Sequence, residues 1–506
     1  MMKSILNTNP QSFWIDSTEE TDYPPLLEDM ETDVAIIGGG MVGITTGLLL
    51  KEAGLKVIIL EADRIVKGTT GHTSAKITSQ HGLIYSKIKK DLGEAQARQY
   101  ADANQSAIRM IARLVEEKSI DCDFSWQPSY IFTQSQDYIQ QIMDETTIAS
   151  SLGIQASYME EIPLALPIKA AIKFEGQAQF HPRKFLLSLA KEIPGDASYI
   201  FEQTKIVDID RDGSLSVISS QGHKIKADRV IVASHFPFYD RAGLYFTRLY
   251  PERSYILGAT IKEKFPPGMY INAEEPSRSL RSQNFADKDL VLIGGEHHKT
   301  GHGKNIMDHY NNLINFAQGL FELEEIHYRW SAQDHSTPDG LPYIGPLSPI
   351  TSNIYLATGF QKWGMTTSMV AAILLKDLIT RGQSPWESIY NPSRITPSMP
   401  ATKNFIKQTV DVARNFISGK ILTPEMEEGV GPGQGKVFEI EGRRVGVYRD
   451  DQGDLHIVDT TCGHMGCEVH WNDAEISWDC PCHGSRYSID GEIIEGPSFK
   501  ALKKLN

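Results

Sequence analysis

Two short loops near the C-terminal end constrain this chain more than any other stretch. They are Cys462-Gly463-His464 and, after fifteen intervening residues, Cys480-Pro481-Cys482-His483. Each loop offers one thiolate and one imidazole, so the fold must bring two loop tips together around one group. Two Cys and two His suit tetrahedral zinc, yet zinc sites usually draw like ligands in pairs, C-x₂₋₄-C with H-x₃₋₅-H. The mixed pairs here suit two irons held unequally, with thiolates on one and imidazoles on the other. Such a [2Fe–2S] centre has a potential of about −150 to +300 mV, well above that of plant-type ferredoxins, and handles electrons singly. Iron is the preferred reading and zinc the alternative.

Cys467 lies five residues after Cys462, and Cys482 sits inside the second loop. The stretches Cys462-Gly463-His464-Met465-Gly466-Cys467 and Cys480-Pro481-Cys482-His483-Gly484-Ser485 resemble those of respiratory-chain Rieske proteins. That resemblance implies iron ligation by Cys462, His464, Cys480 and His483, and a disulfide between Cys467 and Cys482 that clamps both loops. It also implies hydroxyl hydrogen bonds from Ser485 and Tyr487 that raise the potential. Four of the five cysteines fall in these loops. Scarcity elsewhere is the pattern of a reducing compartment, where such a disulfide would be a shielded exception. Cys122 stands alone and reads as a buried structural thiol.

The other end of the chain carries a second signal. Thr32 to Ile37 is a β-branched run leading into Gly38-Gly39-Gly40-Met41-Val42-Gly43. An apolar helical stretch, Ile44 to Ala53, follows, then the strand Lys56 to Leu60 ending at Glu61 and Ala62. This is the strand, Gly-rich turn, helix, strand, acid order of a dinucleotide-binding unit. Pyrophosphate would approach the backbone and the helix N-terminus, and Glu61 would bond the adenosine ribose.

Later stretches, in order, resemble the D-amino-acid oxidase and sarcosine/glycine oxidase superfamily. Gly68-Thr69-Thr70-Gly71-His72-Thr73-Ser74-Ala75 resembles its small-residue flavin loop, which places Thr69, Thr70, His72 and Thr73 at the cofactor. Lys205 to Ile209, with Val207 at its centre, and Ile225 to Ser234 resemble paired strands flanking the adenine. Thr337 to Gly345 resembles the family's T-x-D-G-x-P-x-I-G stretch. Ile354 to Phe360 and Trp363 to Thr366 resemble the loop closing over the isoalloxazine, which adds Gly359, Gly364, Met365 and Thr366. The resemblance spans about residues 30 to 380 and implies FAD. It implies an α/β Rossmann-like FAD-binding domain with an inserted antiparallel-sheet substrate domain, followed by a small all-β Rieske domain.

The expected boundaries are 1–395 for the flavin unit, 396–420 for a linker helix and 421–506 for the Rieske unit. Prolines at 385, 392, 397 and 400 mark an irregular connector, and Asn404 to Ser418 shows a helical apolar face. Net charge is −14, of which −8 lies between Ile421 and Asn506. That acidity can steer a cationic redox partner or serve solubility alone. No basic stripe points to nucleic acid. No apolar run is long enough to cross a bilayer and no signal peptide is evident, so a cytoplasmic location is expected.

Family members of this flavoprotein type oxidise a C–N bond, passing hydride to the flavin and leaving an imine that water hydrolyses. A flavin can release its electrons one at a time, and a Rieske centre can take them. The expected activity is therefore a dehydrogenase for an amino acid or N-methyl amine, with electrons going to the cluster and on to an external one-electron acceptor. Reverse flow as a reductase, oxidation of a 2-hydroxy acid or polyol, and a redox sensor without turnover are the alternatives. Sarcosine-oxidase relatives place an oxygen-activating Lys where Val291 to Gly295 puts Leu292, which favours a dehydrogenase. Catalytic residues are not legible; His297 and His298, in the polar run Glu296 to Lys299, are weak candidates against an ordinary surface turn. Dimethylglycine and sarcosine dehydrogenases resemble the flavin loop and bond FAD covalently through a His at the place of His72. Their preceding Trp is Gly71 here, and a simple hydrogen bond from His72 is the competing reading.

Overall fold

Short β-branched runs separated by glycine turns set the first layer of the molecule. The computed structural model describes residues 9–239, 243–303, 305–394, 430–440 and 443–505. The expected linker helix lies outside these residues. Strand β1 (Met30–Ile37) leads into helix α1 (Met41–Glu52), followed by β2 (Val57–Leu60), β3 (Tyr199–Phe201) and β4 (Lys224–Val232). The second, mainly antiparallel sheet contains β5 (Tyr250–Ile261), β6 (Lys288–Lys299) and β7 (Leu323–Ser336). The chain then returns to the first sheet through β8 (Tyr343–Ser348) and β9 (Thr351–Thr358) before helix α2 (Gly364–Arg381).

The first sheet runs β8-β9-β4-β1-β2-β3. All neighbours are parallel except β8 and β9. Val57 to Leu60 are all buried, as a parallel strand covered on both faces requires. The expected pairing of Lys205–Ile209 with Ile225–Ser234 is indirect. Strand Ser216–Ser219 lies between them, pairing with Ile206–Asp210 on one side and with β4 on the other. Asp212 and Gly213 (φ +92°) form the turn that folds the chain back early.

The second sheet has nine strands, and its two faces do different work. Side chains alternate along a strand, and β5 pairs with β7 so that Glu252 lies opposite Asp334, and Arg253 opposite Gln333. On one face Ile256, Leu292, Trp330 and Ala332 join the core beneath the flavin unit. On the other, Tyr255, Leu257, Val291 and Ile293 pack with Leu313 and Ala317 of the helix Met307–Gln318.

The C-terminal unit is all β. Strands Gly435–Ile440, Arg443–Arg449 and Leu455–Asp459 form one antiparallel sheet, and four short strands from His470 to Glu495 form another. Trp478, Tyr487, Val458 and four cysteines make its small core.

This unit seats on the second face of the nine-stranded sheet. Arg253 donates to Glu495 at 2.8 Å, Gln333 Nε2 donates to the Gly484 carbonyl at 2.9 Å, and Arg329 donates to the Ala474 carbonyl at 2.6 Å. Tyr310 bonds Glu475 at 2.9 Å, and Nδ1 of His470 donates to the Gly301 carbonyl at 2.9 Å. Gly484 is left-handed (φ +80°), and a Cβ there would lie 2.6 Å from Pro251 Cβ. Only glycine permits so close an approach.

Candidate functional site

The nucleotide cradle forms where β1 ends and α1 begins. Gly38 has φ +115°, and a Cβ on it would lie 2.5 Å from the Ala233 oxygen. A Cβ on Gly43 would lie 1.9 Å from the Gly38 oxygen. Gly39, Gly40, Met41 and Val42 lie between them at the N-terminus of α1, where free amides and the helix dipole favour a phosphate. Glu61, at the end of β2, accepts from the Gly39 amide at 2.7 Å and the Asp63 amide at 3.0 Å. Burial raises its pKa, and those amide bonds oppose the rise. Ala62 follows it, exposed. Val207 is 37% exposed, three residues past Thr204, whose amide bonds the Glu61 carbonyl at 2.8 Å. A pyrophosphate, and an acid at the ribose, fit this arrangement.

The flavin loop closes against the cradle. Thr69–His72 is a single 3₁₀ turn. Thr70 Oγ1 accepts from the Met41 amide at 3.2 Å, Trp330 donates to the His72 carbonyl at 2.8 Å, and Trp14 donates to the Thr73 carbonyl at 2.6 Å. Nδ1 of His72 donates to the Gly68 carbonyl at 2.9 Å. Burial lowers the His72 pKa, and the Gly68 bond opposes the shift. Gly359 (φ +77°) ends β9; Gly364, Met365 and Thr366 open α2, and Thr366 Oγ1 accepts from the Thr78 amide at 2.9 Å. Val66, Ala75, His235 and Gln361 all have positive φ around this region. Left-handed backbone on residues with a Cβ stores about 1–3 kcal/mol each and gathers at functional sites.

Leu292 is buried in the core. Its cross-strand partner is Arg281, which donates to the Ala75 carbonyl at 2.9 Å. Next to Ala75 is Lys76, whose pKa is pushed down to about 7 by burial and by Arg281. The sheet thus presents cations toward the end of the flavin loop through Arg281 and Lys76. No motif flagged them.

A polar wall lies on the same face of the sheet as Trp330. Glu252 and Asp334 face each other across β5 and β7, and Ser336 donates to Glu252 at 2.9 Å. Burial pushes the Asp334 carboxyl up to about 7, and Lys362, in the loop before α2, opposes this. Burial lowers the Lys362 pKa, and Glu252, Asp334 and Glu275 raise it. The two histidine candidates separate here. His297 sits 3.4 Å from Glu275 and close to Lys362, so it joins this group. His298 turns away: its ring stacks on His309 at 4.5 Å and bonds Tyr255 at 2.8 Å. A stacked, hydrogen-bonded ring is a packing element.

In the C-terminal unit both loops close tightly. The Cys462 amide bonds the Cys467 carbonyl at 2.8 Å, and the Cys480 amide bonds the Ser485 carbonyl at 2.8 Å. Cys467 and Cys482 form a disulfide. Cys462 and Cys480 share a hydrogen bond, which lowers the pKa of the Cys462 thiol, and Tyr487 Oη lies 3.1 Å from Cys462 Sγ. The His464 and His483 rings stand 4.8 Å apart at 87°. Among the described residues, Nδ1 of His464 and both ring nitrogens of His483 are buried without a hydrogen-bond partner. Buried polar groups are rarely left so. Two thiols and two unsatisfied imidazoles fit a Cys₂His₂ iron–sulfur centre. Ser485 Oγ accepts from the Ser498 amide at 2.9 Å, fixing the loop behind it.

Comparisons with known proteins match both units of the chain. A family model described as "FAD dependent oxidoreductase" matches residues 33–378, and one described as "Rieske [2Fe-2S] domain" matches 424–506. A putative Rieske 2Fe-2S iron-sulfur protein, YhfW, of Bacillus subtilis (strain 168) is 44% identical over 98% of this chain and 98% of its own. The gamma-glutamylputrescine oxidoreductase of Escherichia coli (strain K12) is 22% identical over 73% of this chain and 88% of its own. A glycine oxidase structure from Geobacillus kaustophilus superposes with a TM-score of 0.61 at 18% identity, covering 72% of this chain and 99% of that one. Among the described residues, no helix is long and apolar enough to cross a membrane.

Proposed function

Because the chain belongs to the FAD-dependent oxidoreductase family and carries a Rieske [2Fe-2S] domain at its C-terminal end, we propose that it dehydrogenates a small amine or amino acid and passes the electrons to an external one-electron acceptor. Bound FAD supplies a two-electron hydride acceptor, and the cluster a one-electron relay. The chain's own residues bind and orient. Gly38 to Gly43 and Glu61 would hold the nucleotide, the Gly68–Ala75 loop and Gly359 to Thr366 would enclose the flavin, and Cys462, His464, Cys480 and His483 would hold the irons.

One observation supports electron exchange between the flavin and the cluster. The loop bearing His483 and Gly484 is pinned to the sheet that backs the flavin loop, through Gln333 and the Arg253–Glu495 pair. Electron exchange between flavin and cluster needs such a contact in either direction, and the outward direction rests on the C–N oxidation chemistry of the flavoprotein family. The polar wall bears on the donor. Among the described residues, Glu252, Asp334 and Glu275 lie around Lys362, an acid-rich wall that can accept hydrogen bonds from an amine donor. The relative that acts on gamma-glutamylputrescine fits an amine donor too.

The test is anaerobic mixing of holoenzyme with a panel of amines, amino acids and hydroxy acids. Wild type should bleach its flavin with an amine and then reduce the cluster. Cys480→Ser should keep substrate-driven flavin reduction and lose reduction of a one-electron acceptor. Equal loss of both half-reactions would overturn the outward route.

A further inference from the structure

Resting on that reading of electron flow, we infer that His335, flanked by His235 and Phe236, is the bridge by which electrons cross from the flavin side to the cluster. His335 is the penultimate residue of β7, only 1% exposed, and lies on the face opposite Asp334. Its ring is 4.6 Å from His235 and 5.2 Å from Phe236, and it borders the His483 backbone. Phe236 in turn stands 6.3 Å from the His464 ring. Both iron-ligating histidines are therefore reached from one ring.

The other end of the bridge is the nucleotide end of the parallel sheet. His235 follows Ala233 and Ser234, the residues against which Gly38 closes. Its carbonyl accepts from Thr358 Oγ1 at 2.5 Å, at the end of β9, and its backbone is left-handed (φ 63°). It thus stands where the carboxyl ends of β1, β4 and β9 converge, the place at which such sheets bind ligands. Gln333 supports the same crossing. Its carbonyl accepts from Nε2 of His235 at 3.0 Å and from Thr69 of the flavin loop at 3.4 Å, while its side chain donates to Gly484. One residue is thereby bonded to the flavin loop and to the cluster loop.

Two electrons leave the substrate carbon as hydride. Reduced flavin then gives one electron across the bridge, one ferric iron becomes ferrous, and a flavin proton passes to water. The external acceptor removes that electron before the second crosses. His335 contributes close-packed bonded atoms along the path and is not itself oxidised.

The experiment uses anaerobic holoenzyme whose flavin is reduced selectively by a light-activated deazaflavin donor. Flavin reoxidation and cluster reduction are followed by absorbance and freeze-quench EPR, alongside both midpoint potentials. His335→Leu should slow the transfer by about tenfold, because a void or a poorly packed side chain interrupts contacts that the ring makes. His335→Phe should restore a rate close to wild type. The EPR signal and the potentials should stay unchanged in both. A wild-type rate in His335→Leu, no rescue in His335→Phe, or a rate change that tracks a shifted cluster potential would overturn the bridge alone. A wild-type enzyme whose reduced flavin leaves the cluster oxidised would overturn the underlying electron route as well.

Discussion

Replacing Glu495 by Gln tests what holds the two units together. Arg253 is 1% exposed and meets Glu495 at 2.8 Å, and Arg486 shares the same carboxylate at 3.1 Å. Removing one member of a buried pair costs about 3–5 kcal/mol, because the other charge is left uncompensated. The low end applies here, since Arg253 keeps its bonds to Ser331 and Gln333, and Arg486 keeps Asp479. A loss of about 3 kcal/mol weakens docking by roughly a hundredfold. The pH dependence gives an independent check. Burial raises the Glu495 pKa, but Arg253 and Arg486 outweigh it and hold the carboxyl at about 2, below its ordinary 4.5. A depressed pKa means that the stabilisation is complete above pH 4.5 and is lost as pH falls through about 2. Hydrogen exchange of the amides near Gly484 and Glu495 reads docking directly. Wild type should lose protection in that acid window, and Glu495→Gln should be less protected at neutral pH without the acid step. Equal protection and the same acid step in both proteins would refute the reasoning.

The cluster should bring about two irons and two acid-labile sulfides, with a low average g value when reduced, and His464→Cys should lower its potential or abolish assembly; zinc in its place would refute the iron assignment. Gly43→Ala, whose Cβ would collide with the Gly38 oxygen at 1.9 Å, should yield protein without flavin, read from its visible spectrum. Acid precipitation should leave FAD in the supernatant, because the Trp that precedes the bonding His in the covalent flavoproteins is Gly71 here. A fluorescent pellet would show a covalent bond instead, and His72→Ala should weaken flavin retention more than His223→Ala.

Local pattern made the ends of this fold legible. The small all-β unit expected after the flavin unit occurs, with its first strands at Gly435–Ile440, Arg443–Arg449 and Leu455–Asp459. The strand, glycine turn and helix from Thr32 likewise appear as β1 and α1. These signals are local: a glycine whose neighbours forbid a Cβ, or an alternating apolar run. The polar wall was not legible because it depends on register between distant strands. Glu252 and Asp334 meet only because β5 pairs with β7 in one alignment. His297 and His298 are adjacent in sequence and go to different surroundings, which no composition of the run Glu296 to Lys299 can specify. Asp339, in the Thr337 to Gly345 stretch, shows a motif residue with a structural task. It takes Arg394 through two bonds of 2.8 and 2.9 Å and so ties the end of the flavin unit to the sheet.

The nine-stranded sheet stands between the flavin loop and the cysteine–histidine loops and contacts both. Period-two alternation sends Glu252, Asp334 and Ser336 toward the flavin side and Arg253, Gln333 and His335 toward the cluster side. A one-residue slip of β7 would exchange the two sets, placing His335 in the polar wall and Asp334 against His483. Register is held against that slip by the Trp330 bond to the flavin loop on one face and the Gln333 bond to Gly484 on the other. The strand that separates the two sites therefore also fixes their mutual position, and neither site can be displaced along β7 without straining the other.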